Sequence, residues 1–207
     1  MVHVLAQRRD VVIGALLTTV NEAAGRVAMH AVREDVLQAQ ADVLGLPLWR
    51  IPIPSPCPNE IYERAMADAV KRAVDEGFSH VAFGDLFLED VRRYREERLA
   101  GTGLTPLFPL FGSDTTTLAR DMIRSGLRAR ITCLNPKVLD RGFAGREFDA
   151  ALLSDLPPSV DPCGERGEFH TCVVGGPVFS QPIPVTVGER TRRAERFEYC
   201  DLVPVGG

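Results

Sequence analysis

Long apolar runs, paired cysteines, a basic excess and aromatic bulk are all scarce in this 207-residue sequence, which has a single tryptophan. No apolar stretch approaches the roughly 20 residues that a bilayer-spanning helix takes. The first residues hold no apolar core with a small-residue cleavage site behind it. Five cysteines, an odd number and scattered, do not make a disulfide framework, and reduced thiols in a cytoplasmic protein are expected. No CxxC pair occurs, and Cys163, His170 and Cys172 lack a second pair to complete a tetrahedral metal site, so none is expected. The net charge of -4 supplies no basic field for nucleic acid or an anionic membrane, and neither partner is expected. What remains is a 45% hydrophobic and 25% charged composition, in a chain long enough to bury a core as one domain or two small ones.

Read in order, the chain alternates strand and helix signals. Part of Met1–Arg9 has helical character. Val11–Val20, VVIGALLTTV, is near-continuous and rich in β-branched residues, as a parallel strand covered on both faces would be. Arg26–Leu44 carries apolar residues at helical spacing and ends at Gly45, a suitable residue for a left-handed cap. Pro47–Ile53 reads as a second strand closed by a rigid proline-rich run. Asn59 can cap a helix over Glu60–Glu76, and His80–Phe83 reads as a third strand ending at Gly84-Asp85. Such alternation predicts an α/β fold with a largely parallel sheet. Ligands in such sheets bind beyond the carboxyl ends of the strands, where the loops Thr18–His30, Pro52–Asn59 and Gly84–Glu97 fall.

Leu86–Ala100 is dense in charge, with Glu89 spaced to meet Arg92 and Arg93, and Arg93 to meet Glu97. A salt-bridged solvent-facing helix accounts for this by itself; its place directly after Gly84-Asp85 adds a functional reading. Leu104–Leu110 contains prolines and suits an edge or crossover strand. A second region begins near Gly112. In it, Asp114 or Thr115 can cap a helix over Thr116–Ser125, Leu127–Leu134 reads as a strand, and Phe148–Leu156 as a helix. Pro182–Val187 and Arg196–Val203 complete it as an antiparallel pair.

The richest stretch is Asp161–Phe179, DPCGERGEFHTCVVGGPVF. Gly164 and Gly167 bracket a polar turn that leads into a strand at Phe169–Val174. A hairpin with a solvated acidic tip is one reading. The order CGE-x-GE-F-x-T followed by GP-x-F is less generic than its parts. Together with LLTTVNE, the Met29-His30 pair in GRVAMHAVR, GLPL, CPNE, GDLFLEDVRRYREERL, GTGLTPLFPLF and FAGREFDAALL, it resembles the diphthine–ammonia ligase family of PP-loop ATP pyrophosphatases. The resemblance runs from Val11 over nearly the whole chain. It implies a Rossmann-like adenine-nucleotide α-hydrolase (HUP-type) parallel sheet in residues 1–111, and a smaller α+β substrate-binding domain in 112–207. It also implies a reaction: ATP adenylates a carboxylate with release of pyrophosphate, a protein side chain being among the candidate acceptors, and ammonia displaces AMP to leave an amide. ATP and Mg²⁺ are the implied cofactors, and a homodimer is an open candidate state.

The family pattern opens with a strand and an SGGKDS loop that cradles the ATP phosphates. This sequence contains no SGGKDS, and Met1–Arg9 matches the tail of the helix that follows that loop. The first strand and the PP-loop are therefore expected to be missing from the sheet, through a start assigned too late or through true shortening. By itself the chain is expected to bind ATP poorly.

Carried onto this sequence, the resemblance implies catalytic roles for Asp85, Arg95, Glu165 and Glu168. Asp85 could hold Mg²⁺ or an amine, or simply cap a helix. Arg95, with Arg93 second, suits an acyl-adenylate because its planar fork binds carboxylate and phosphate in bidentate fashion, and Glu97 would hold the arginine. Thr18, Thr19, Asn21, His30 and Gly84 are the implied nucleotide contacts, although a histidine on a helix face is more often simply packed. Glu89, Asp90, Arg93, Tyr94, Glu97, Cys163, Gly164, His170 and Thr171 are the implied substrate contacts. Glu165, Glu168 and His170 could hold and deprotonate an ammonium ion. Adenylation already activates the acyl group and leaves a Cys163 thiolate no task. The competing functions are a non-catalytic nucleotide- or ligand-binding module, and an ATP pyrophosphatase acting on another substrate.

Overall fold

A computed structural model describes residues 1–28, 30–193 and 197–205. Met29, of the Met29-His30 pair, and Arg196, expected to open the last strand, lie outside the described residues. The N-terminal region contains helix α1 (Val2–Ala6), strands β1 (Leu16–Asn21) and β2 (Arg26–Val27), helix α2 (Glu34–Leu44), strand β3 (Leu48–Ile53) and helix α3 (Asn59–Asp75). Strand β4 (His80–Ala82), helix α4 (Glu89–Leu99) and strand β5 (Thr105–Leu107) follow. The C-terminal region contains α5 (Thr115–Arg124), β6 (Arg128–Leu134), α6 (Ala150–Asp155), β7 (Phe169–Gly175), β8 (Val185–Arg193) and β9 (Phe197–Pro204).

The parallel character expected of the first half is present, but in two pieces. β1 pairs in parallel with β3 in register Leu16↔Leu48 to Asn21↔Ile53, and β2 adds a short antiparallel pair at Val20↔Val27. Among the described residues β4 pairs, in parallel, with β5 alone. The expected single sheet through His80–Phe83 is thus interrupted between β1 and β4. Both strands line a shared cavity of about 1100 Å³, which also takes in α1, the Val11–Ala15 segment and one face of α3. Of the exposed large apolar side chains, Met1, Val12, Leu17, Val74 and Tyr94 all sit on its walls.

Two boundaries differ from the sequence reading. The first strand starts at Leu16 rather than Val11, because its ladder begins where the Leu16 amide donates to the Pro47 carbonyl. Proline has no N–H to carry pairing further back, and Val12 is left 95% exposed. The helix expected from Arg26 starts only at Glu34. Ahead of it Arg26 and Val27 pair with β1, and Ala31 takes a left-handed φ of 55°. Glu34 and Asp35 favour the true start through the helix dipole, and Gly45 at φ 65° closes the helix. The next helix is preceded by Pro58, with Asn59 already inside it.

The C-terminal region is an antiparallel sheet in the order β7-β6-β9-β8. One face packs Ile131, Leu134 and Phe169 against Ala119 of α5, Leu152 of α6 and Leu139. The other face presents Cys172, Val174, Ile183 and Leu202 to Val32 and Val36 of the N-terminal region. Asp114 and Asp149 cap their helices by accepting the amides of Thr117 and Leu152. Arg26 and Arg33 both reach Asp201 on β9, the closest contacts being 2.7 and 2.5 Å. Gln40 donates to the Val173 carbonyl at 2.7 Å. The two regions are therefore welded along α2.

Candidate functional site

The β4–α4 loop follows the carboxyl end of a parallel strand, the position where such sheets place ligands. Asp85 lies in it and is gripped by Arg95 from α4, with Nε to Oδ2 at 2.6 Å and the second guanidinium nitrogen to Oδ1 at 3.0 Å. The guanidinium also lies 4.4 Å from the Phe83 ring centroid. Asp85 is thus an ion-pair partner rather than a helix cap, and α4 follows Leu88 with no side-chain cap. The expected helix-face pairs are replaced as well: Arg92 meets Glu96, Arg98 meets Glu63, and Asp85, not Glu97, holds Arg95. Glu89, Asp90, Arg93 and Glu97 are exposed, Tyr94 is 41% exposed, and the Arg98 guanidinium stacks on its ring.

The signature turn comes to the same loop from the C-terminal region. Glu165 accepts the Leu86 amide at 2.7 Å, and Arg166 lies over the Phe87 ring at 5.1 Å. Burial raises the Glu165 carboxyl above its ordinary range, the Leu86 and Phe87 amides pull it back, and Asp85 and Asp161 push it up again. Glu168 points the other way. It is buried, and its oxygens accept the amides of Asp161 at 3.0 Å and Arg166 at 2.9 Å. Asp161 accepts the Cys163 and Glu165 amides and the Thr115 hydroxyl. A Cβ on Gly164, at φ 71°, would stand 2.5 Å from the Phe169 carbonyl, so only glycine fits there. Burial pushes the Cys163 thiol up to about 12, with Asp161 and Glu165 adding to the effect, so it is a protonated, unreactive group.

His170 does not join Asp85. It meets His30, with ring centroids 4.4 Å apart and planes tilted by 38°, beside the carboxyl end of β1, where the Ala28 amide donates to the Thr19 carbonyl. Burial, and then the neighbouring His170, takes His30 down to about 4, and burial lowers His170. Both rings are therefore neutral near pH 7. Thr18 and Thr19 line the cavity between β1 and β4, Gly84 is exposed beyond β4, and Asn21 accepts the Ala24 amide at 3.3 Å in its own turn. Thr171 pairs with Ile131 inside the sheet.

The matches to known proteins follow this architecture. Residues 114–202 match the family model of the diphthamide synthase C-terminal domain. Over 173 residues the chain is 27% identical to diphthine–ammonia ligase of Schizosaccharomyces pombe, a match covering 76% of this chain and 28% of that protein. Both matches make the chain similar to the diphthine–ammonia ligase family. It spans little more than a quarter of the length of that curated relative. Among the described residues, no three His, Cys, Asp or Glu side chains gather as a metal site. Likewise no described helix is long and apolar enough to cross a membrane.

Several residues that build the site escaped the sequence reading. Asp161 and Thr115 shape the signature turn, Phe87 and Arg166 stack across the two regions, and Arg26, Arg33 and Asp201 hold the loop that carries His30. Asp161 had a local signal: an aspartate opening Asp-Pro-Cys-Gly is placed to accept amides two and more residues on. The other contacts join residues far apart in the sequence and leave no local trace.

Proposed function

We propose that this chain forms part of an ATP-dependent amide-forming ligase, in which a carboxylate is activated by adenylation and ammonia completes the amide. The family match carries the reading, and the meeting of the signature turn with the Asp85 loop supports it. The working division is a nucleotide-binding part in 1–111, of adenine-nucleotide α-hydrolase type, and a substrate-binding part in 112–207. Asp85 and Arg95 supply the chemistry as a pre-formed pair. An ammonium ion arriving at Asp85 replaces the guanidinium, and an acyl-phosphate or carboxylate arriving at Arg95 replaces the aspartate. Either exchange frees the other partner for the second ligand, and Arg95 then faces the negative charge of the leaving group.

The cofactors fit unevenly. The cavity beside Thr18 and Thr19 can house an adenosine, but no run of consecutive glycine amides lines it to cradle phosphates. Both Asp85 oxygens are held by Arg95, so Mg²⁺ does not fit that carboxylate as placed. A strand and phosphate loop seated between β1 and β4 would provide the missing donors. Residues 1–207 alone should then bind ATP with Mg²⁺ weakly in calorimetry. A chain extended upstream by a strand and an SGGKDS loop should release AMP from ATP when ammonia and a carboxylate acceptor are present. Absence of AMP release from that extended chain with a range of carboxylates would overturn the ligase reading. One observation favours a second reading, a non-catalytic binding module: Asp85 and Arg95 neutralise each other with good geometry and need no ligand to do so. Binding of adenosine or a carboxylate without turnover in the extended chain is its expected signature.

A further inference from the structure

Three features of the β4–α4 loop lead to a role for Glu165 that differs from substrate contact. The first is that α4 begins without a capping side chain: Leu88 precedes it and contributes none. A negative charge near a helix start is favoured by the helix dipole, and buried amides in the loop ahead of it need acceptors of their own. The second is that, among the described residues, β4 is tied by strand pairing only to β5, so the loop's position is not set by the other parallel sheet. The third is that the loop is nevertheless well packed. Leu86 is 5% exposed, its carbonyl accepts the Gly112 amide at 2.7 Å, and its own amide donates to Glu165 at 2.7 Å. The Phe87 amide also faces that carboxylate, and Arg166 covers the Phe87 ring.

On the opposite side, the signature turn is built to deliver this one carboxylate. Asp161 accepts the Glu165 amide, Glu168 accepts the amides of Asp161 and Arg166, and Gly164 allows the chain to pass against the Phe169 carbonyl. Two of the turn's three acids are thus turned inward to hold it, while the third, Glu165, reaches the other region beside Arg166. Arg95, which grips Asp85, sits on the helix whose start Glu165 abuts.

We infer that Glu165 is a positioning residue: it caps the β4–α4 loop from the C-terminal region and thereby fixes the Asp85–Arg95 pair. The inference rests on geometry and not on the ligase reading. Its test uses no ATP, ammonia or acceptor, so either can fail without the other. The measurement is residue-resolved amide hydrogen exchange on the whole chain, with β6 and β7 amides as the internal reference. In Glu165→Ala, exchange at Leu86 and Phe87 should rise at least tenfold while Ile131 and Cys172 keep wild-type protection. Glu165→Gln, which retains a carbonyl acceptor at the same reach, should restore much of the protection. Glu165→Asp keeps the charge but withdraws it by one methylene, and exchange at Leu86 should again rise; this variant carries the test if the alanine variant does not fold. Unchanged exchange at Leu86 and Phe87 in the alanine and aspartate variants overturns the inference. So does an acceleration shared equally by β6 and β7, which would mark general destabilisation instead of a lost cap.

Discussion

The two halves of this molecule close their cores in different ways. In the C-terminal region four strands form one continuous antiparallel sheet, and Ile131, Leu134, Leu139, Leu152 and Phe169 are almost completely removed from water. In the N-terminal region the parallel strands form two separate sheets, and apolar side chains such as Val12 and Leu17 stand in the walls of the cavity between them. Composition does not account for the contrast, since the first half has the longest apolar run. The difference lies in pairing: a parallel strand needs covered faces and partners on its edges, and among the described residues β4 has a partner on one edge only. Stability should therefore concentrate in the second half, while the first half keeps the open, ligand-sized space.

The sharpest way to break that comparison is a cavity in the closed core. Leu152 is fully buried among Ile131, Leu134 and Phe169, so Leu152→Ala should cost about 3–5 kcal/mol in denaturant unfolding. A cost below about 1 kcal/mol would mean that the C-terminal core is not the stable centre of the molecule. Next in size is Glu168→Ala, which leaves the buried Asp161 amide and the Arg166 amide without their acceptor. At about 1–3 kcal/mol for the buried Asp161 amide and no more than about 1 kcal/mol for the amide of the exposed Arg166, a loss of about 1–4 kcal/mol is expected. Full stability with lost ligand binding would instead give Glu168 a functional role and undo the view that it holds the turn.

How much of this was legible beforehand depended on the range of each interaction. Strand β6, strand β7, the Asp114 cap and the glycine that closes α2 are read from neighbouring residues, and each lies within a residue or two of its expected place. The run Val11–Val20 misled because apolar, β-branched composition reports strand propensity but not whether a partner strand reaches that far, and Pro47 ends the ladder at Leu16. The acids of the signature were legible as a cluster but not as individuals. Which of Glu165 and Glu168 turns inward is decided by the φ 71° turn at Gly164 and by where the Asp161 amide lies. The Arg26–Asp201, Arg33–Asp201 and His30–His170 contacts span most of the chain and have no local signature at all.

The junction between the two halves should respond to acid. His30 has its proton affinity lowered from 6.5 to about 4, by burial first and by His170 second, so it is neutral when folded and takes up a proton on unfolding. A histidine shifted in this direction contributes fully above pH 6.5, and its contribution falls away as pH drops from 6.5 toward 4. The whole step is worth at most about 3 kcal/mol. Asp201 acts lower down. Burial pushes its carboxyl up, but the hydrogen bonds from Arg33 and Arg26 prevail and bring it to about 2, so its contribution is lost only below about pH 4. Unfolding midpoints measured from pH 7 to pH 5 should therefore decline in the wild-type chain and decline less in a His30→Asn variant, which keeps only the buried His170. An equal decline in that variant would place the acid sensitivity elsewhere.

The smallest expected effect bears on the open half. Val12 lies inside VVIGALLTTV, where a buried parallel strand would make its loss costly: removing apolar atoms from a packed strand typically takes more than 1 kcal/mol. The structure puts it ahead of the first ladder bond, 95% exposed on the cavity rim. Exposed side chains without partners change stability by no more than about 0.5 kcal/mol, so Val12→Ser should leave the unfolding midpoint where it is. The same variant repeated in the chain extended upstream by a strand and an SGGKDS loop gives the contrast its edge. If an added strand settles between β1 and β4, Val12 becomes covered and the substitution should begin to cost measurable stability. If it remains neutral there as well, the cavity stays open in the extended chain, and the difference between the two halves belongs to the fold itself.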